Sequence, residues 1–115
     1  MTHLKSYTSP EQSKVLANIL LLESADMCWF EGQPFVETVT GYEEDRAEAH
    51  RQAGMEMYPC WSLAALLGVF PTFTIDSSDD HYFRVHCYIY FSEWHNNPVD
   101  ACYEMILKLH ELKML

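Results

Sequence analysis

Basic residues are scarce in this sequence. Seven lysines and arginines stand against seventeen aspartates and glutamates, a formal net charge of −10 at neutral pH. Such a field repels phosphate backbones and anionic bilayers, which argues against direct nucleic-acid binding and against a membrane partner. Glycine is scarcer still, four in 115 residues. The four are scattered and form neither GxGxxG nor GxxxxGK, so phosphate-cradling loops are missing. The longest mostly apolar runs, Val15 to Leu22 and Trp61 to Phe70, fall well short of the ~20 residues that span a bilayer. Met1 to Lys5 leads into polar residues, without a signal-peptide pattern. The expected location is the cytoplasm.

Metal and nucleophile signatures are also absent. Cys28, Cys60, Cys87 and Cys102 include no two within four residues, so no CxxC hook exists for zinc or redox chemistry. With no secretory signal the thiols are expected to be reduced, each a small hydrophobe among apolar neighbours. His86 and Cys87 are adjacent, which on a strand sends them to opposite faces and prevents a dyad. HExxH is missing, and Ala47 stands three places before His50, where a Glu-x-x-His metal motif needs glutamate. Ser62 lacks the Gly-x-Ser-x-Gly elbow. Asp76, Asp79, Asp80 and His81 crowd one loop, without the alternating spacing and distal glutamate of a calcium loop. These residues read as a solvated turn. No catalytic residue, metal or cofactor is assigned, and a non-enzymatic protein is favoured.

What the chain does hold is a globular composition, 49% hydrophobic with sixteen aromatics, enough for one domain over 1–115 with its own core. "SPEQ" reads as Ser9 N-cap, Pro10 at the first helical place and Gln12 closing a capping box. With Val15, Leu16, Ile19, Leu20 and Leu22 inside, it predicts a helix over about 10–24. Runs 27–31 and 35–40 around Gly32-Gln33-Pro34 predict a hairpin. Residues 41–57 form an acidic insert, an exposed helix or loop, in which alanine supplies most of the apolar content. "PCWSLAALLGVFP", Pro59 to Pro71, reads as a central buried helix, in which Gly68 allows a close approach. Strands 72–76 and 82–91 form a second hairpin. In the latter, Phe83, Val85, Cys87, Ile89 and Phe91 alternate with Tyr82, Arg84, His86, Tyr88 and Tyr90, the first set facing helices and the second facing away. Asn97, Pro98 and Asp100 open a last helix, with Val99, Cys102, Ile106 and Leu109 on its buried face and Met105 and Leu112 beside it. The expected class is α+β: an antiparallel sheet of two hairpins, about four strands, against three helices.

Charge is unevenly placed. Residues 23–80 hold twelve acids against Arg46 and Arg51, while acids and bases balance elsewhere. The whole excess belongs to the middle of the chain.

"PCWSLAALLGVFP" followed by "NPVDACYEMILKLHE", and "SADMCW" at 24–29, resemble small uncharacterised proteins of gut Bacteroidetes and their prophages or mobile elements. The shared pattern is P-x-W-S-L-x-x-L-L and D-A-x-x-x-M-I. It covers the second half of the chain, touches residues 8–29 loosely and leaves 41–57 unmatched. That group has no established activity, so the resemblance implies a fold signature and transfers no catalytic residue.

Two expectations about function follow. The first is an accessory protein acting by protein–protein contact, with another protein or with itself as a homodimer. Its surfaces are Tyr82, Arg84, His86, Tyr88 and Tyr90, a set of types enriched at interfaces, and the acids Glu43, Glu44, Asp45 and Glu48. A sharper form is a phage- or mobile-element-encoded acidic inhibitor that competes for a basic site. The alternative is a small-ligand binder or minor enzyme with a pocket between sheet and helices, drawing on Trp29, Cys60, Trp61, His86 and Tyr88. Whether the Tyr/Arg/His face is covered by another element decides its availability.

Overall fold

Helix starts are set by side chains that satisfy free backbone N–H groups. A computed structural model describes residues 5–30, 33–36, 48–49, 52–54 and 57–115. Helix α1, Pro10–Leu16, carries the expected capping box: Ser9 Oγ accepts from Gln12 N, and Gln12 Oε1 accepts from Ser9 N. Helix α3, Pro98–Glu111, begins at Asn97, whose side chain accepts from Asp100 N at 2.8 Å. Between them, α2 is only Leu63–Leu67, capped by Ser62.

The strands form two antiparallel three-stranded sheets, giving the α+β class. The first has the order β2-β1-β3, from Gln33–Val36, Met27–Phe30 and Met57–Cys60. The second has the order β4-β5-β6, from Thr74–Ser77, Phe83–Cys87 and Tyr90–Phe91. Each of the two expected hairpins gains a third strand and becomes a separate sheet.

Several expectations need correction. Pro59 does not open a helix; it lies in β3 opposite Cys28. Lacking an N–H, proline is tolerated on an edge strand, and both prolines of this sheet, Pro34 and Pro59, sit outside the central β1. Gln33 and Pro34 are likewise strand, paired with Phe30 and Trp29; residues 31–32 and 37–40 lie outside the described residues. Helix α1 stops at Leu16, and a short 3₁₀ turn covers Leu22–Ser24. Val15 and Leu112 are exposed. Gly68 caps α2 in ordinary helical geometry, and an added Cβ there would meet only carbonyls of its own helix, so no neighbour approaches it closely. Of the 41–57 insert, Glu48, Ala49 and Gln52 are helical, 52–54 are exposed, and Met57 is a buried residue of β3.

The main core gathers Leu16, Cys28, Trp61, Leu66, Val85, Cys87 and the inner side of α3. Period-two alternation sends Cys28 and Met57 into it, and sends Met27, Trp29 and Cys60 to the other side of the first sheet. There Tyr7 meets the Trp29 ring edge-on at 5.8 Å and Tyr58 stacks on it at 6.4 Å. Trp61 has no exposed surface, and its indole N–H donates to Ser24 Oγ at 2.9 Å. Deleting a buried indole removes apolar contact and leaves a cavity. Trp61→Ala is therefore expected to cost about 3–5 kcal/mol, a large part of a small domain's stability. Urea unfolding reads this, and an unchanged midpoint would contradict the placement.

The N-termini of α1 and α3 meet through Asp100. Its Oδ1 accepts from Lys5 Nζ and Gln12 Nε2, each at 2.8 Å, and its Oδ2 accepts from Asn97 Nδ2. Partial burial pushes the carboxyl pKa up, but these donors and the Lys5 charge outweigh it and hold it below the ordinary value. A depressed folded pKa adds stability that is present above the unfolded pKa and lost as pH falls through the folded one. Asp100→Asn should destabilise by about 1–2 kcal/mol at neutral pH, with the gap to the parent closing below about pH 4. Unfolding at several pH values measures this; a gap independent of pH would show that the charge contributes nothing.

Candidate functional site: an open aromatic face around Arg84

β5 exposes one side and buries the other. Val85 and Cys87 face the core, while Arg84 and His86 point outward, opposite Asp76 and Thr74 of β4. The strand does not continue to residue 91. Tyr88 takes a left-handed conformation, φ 57°, and the chain reverses over Tyr88–Ile89 so that Tyr90 pairs with Cys87 and Phe91 with His86.

That reversal exchanges the faces expected for the final residues. Tyr90 goes inward and packs against the core. Phe91, expected inside, is exposed and stacks on the His86 ring at 4.0 Å with planes 10° apart. Ile89, also expected inside, is at the turn and 80% exposed. Tyr82 and Tyr88 are exposed as expected. Glu43, Glu44 and Asp45 lie outside the described residues, and Glu48 is exposed.

Beyond β6 the register slips once. Phe91 pairs with His86, but His95 bridges Phe83, so Ser92, Glu93 and Trp94 stand against only Arg84 and Val85. Such a bulge re-aims a side chain. Here it brings the Trp94 ring to 4.6 Å from the Arg84 guanidinium, while Phe91 lies 4.4 Å from the same group. Asp76 Oδ2 accepts from Arg84 Nη2 at 3.0 Å and Nε at 3.2 Å. The cation is thus held by two rings and a carboxylate, each of which adds modest attraction at a partly exposed site.

The returning segment is tied to α3. Lys108 Nζ donates to Phe91 O at 3.0 Å. Glu104 accepts from Glu93 N and contacts His95 Nε2 at 2.8 Å. Buried Ser92 accepts from Val85 N through Oγ at 2.9 Å. Phe91 and Trp94 therefore sit on a backbone fixed from below, and both rings remain more than two-fifths exposed. The face is open. Next to it, Ser78, Asp80, Tyr82 and Trp94 line a shallow depression of about 440 Å³.

Phe91, Trp94 and Asp76 are the members that sequence reasoning missed. The only usable signal for Asp76 was its place on a strand paired with β5. No turn residue marked the reversal that delivers Phe91.

The other named residues do not assemble. Cys60 and Trp61 have no exposed surface, Trp29 is buried on the first sheet, and His86 and Tyr88 belong to the second. All four cysteines are buried, and none is in a disulfide. Burial pushes the Cys60 thiol up, Cys87 up to about 11, and Cys102, with Cys87 as its neighbour, up to about 12. Thiols so held stay protonated at neutral pH and are poor nucleophiles. Among the described residues, no group of three or more His, Cys, Asp or Glu side chains is placed to hold a metal, and no helix is long and apolar enough to cross a membrane.

No family model, curated protein or solved structure matches the chain.

Proposed function

We propose that the protein is a non-enzymatic accessory factor that works by binding another protein through the open face of β4–β5–β6. The observation that carries this reading is the Arg84 guanidinium held between Phe91 and Trp94 on a strand segment tied to α3. Aromatic and arginine side chains supply much of the binding energy at protein interfaces. Here they are already ordered, which lowers the entropy lost on association. An exposed group of large apolar side chains, Tyr82, Tyr88, Ile89, Phe91 and Trp94, is also the kind of patch that partners cover.

The acid excess of the middle segment selects a basic partner and speeds encounter with it. In its sharper form, which draws on the resemblance to mobile-element proteins, the chain is an inhibitor that occupies a basic nucleic-acid-binding site. The cytoplasm is its place of action. A second copy of the chain is the competing partner; sedimentation across a concentration range would report it as a dimer.

Capture from a bacterial lysate tests the reading, with wild-type bait beside a Phe91→Ala/Trp94→Ala bait. Both replaced rings are half-exposed, so the variant should fold. The expected result is a partner retained by the wild type, lost by the variant and weakened at high salt. Equal capture by both baits would overturn the role of the face, and salt-independent capture would overturn the electrostatic inhibitor.

A further inference from the structure

The depression beside Trp94 combines features that the rest of the face lacks. Two exposed rings, Tyr82 and Trp94, share it with the Asp80 carboxylate and Ser78. Asp79, exposed in the same loop, adds a second negative charge close by. Arg84, whose guanidinium lies over the Trp94 ring, is already paired with Asp76. Arg84 does not line the depression. Among the described residues, the lining is therefore two rings, a serine and a carboxylate, with no cationic side chain.

A ring face attracts a cation, and the attraction grows when a carboxylate stands beside it. Phosphates and carboxylates are repelled here by Asp79 and Asp80. A purely apolar group would leave the Asp80 charge without a counterpart. We propose that this depression receives a lysine side chain of a protein partner, its ammonium set against Asp80 and over the rings of Tyr82 and Trp94. This rests on the reading of the face as a protein interface and names the chemistry of its partner there. Serine and tyrosine hydroxyls at the rim can accept the remaining ammonium protons.

The tryptophans allow a direct measurement. Trp29 is 8% exposed and Trp61 0%, whereas Trp94 is 43% exposed, so an emission change on adding a peptide reports Trp94. The probe is an alternating lysine–glycine peptide, compared with a glutamate–glycine peptide of equal length and with oligouridylate. The expected result is a saturable change with the lysine peptide alone. Asp80→Asn and Tyr82→Ala, both at exposed positions, should weaken it roughly five- to ten-fold. Glu11→Gln, which removes one charge outside the depression, should leave it unchanged.

No saturable response to the lysine peptide would overturn the proposal. So would an equal loss in Glu11→Gln, which would mark attraction to net charge alone, or a response to oligouridylate, which would make the rings a base-stacking site. If the lysine peptide is inert while lysate capture still depends on Phe91 and Trp94, the lysine assignment falls and the interface reading stands. If the peptide binds through Asp80 and Tyr82 while capture ignores the face, the lysine site stands and that reading falls.

Discussion

The structure depends on how Trp61 is held. Its backbone is joined to Thr8 twice, Thr8 N donating to Trp61 O at 3.0 Å and Trp61 N donating to the Thr8 side-chain Oγ1 at 3.2 Å. Leu63 N reaches Ser6 O. The segment before α1 is thereby laced to the chain between β3 and α2. Thr8 O also accepts from Trp29 Nε1 at 3.2 Å, which ties β1 to the same joint. Asp26 receives Ser62 N and the Ser62 hydroxyl, fixing the residue that caps α2. The ring of Trp61 fills the core that this lacing encloses. Close packing of this kind is unforgiving, because a void lined by rigid backbone cannot collapse.

From that joint the order passes outward. α2 and the inner face of α3 share one apolar cluster with Val85 and Cys87 of β5. α3 in turn holds the returning segment through Lys108 and Glu104. The face that carries Arg84, Phe91 and Trp94 is thus the outer skin of a sheet whose inner skin is core. Its side chains are ordered because their backbone is, and they remain accessible because no described element lies over them.

How far the sequence foretold this depended on the kind of signal. Helix starts were legible because Ser9 with Gln12, and Asn97 with Asp100, are local patterns with a local cause. The alternation of Phe83 to Cys87 was legible for the same reason. The reversal at Tyr88 was not, because its two turn residues are a tyrosine and an isoleucine, where glycine or asparagine would have marked it. Pro59 misled because the first turn of a helix and an edge strand both tolerate proline. The bulge that aims Trp94 at Arg84 is a matter of register between distant residues, which no short pattern records. The outward placement was therefore foreseen for Arg84, His86 and Tyr82. Tyr90 belonged to the core, and Phe91 and Trp94 to the surface.

The central claim is that the chain reverses after Cys87 and so gathers two rings on Arg84. Proton NMR of the Arg84 side chain tests it most directly, since protons over an aromatic face resonate upfield. The account predicts upfield-shifted Arg84 side-chain protons with cross-relaxation to both Phe91 and Trp94, and a Tyr90 ring in contact with core methyl groups. Unshifted Arg84 resonances without contact to either ring, together with a solvent-exposed Tyr90, would be the result of an unbroken strand and would contradict it.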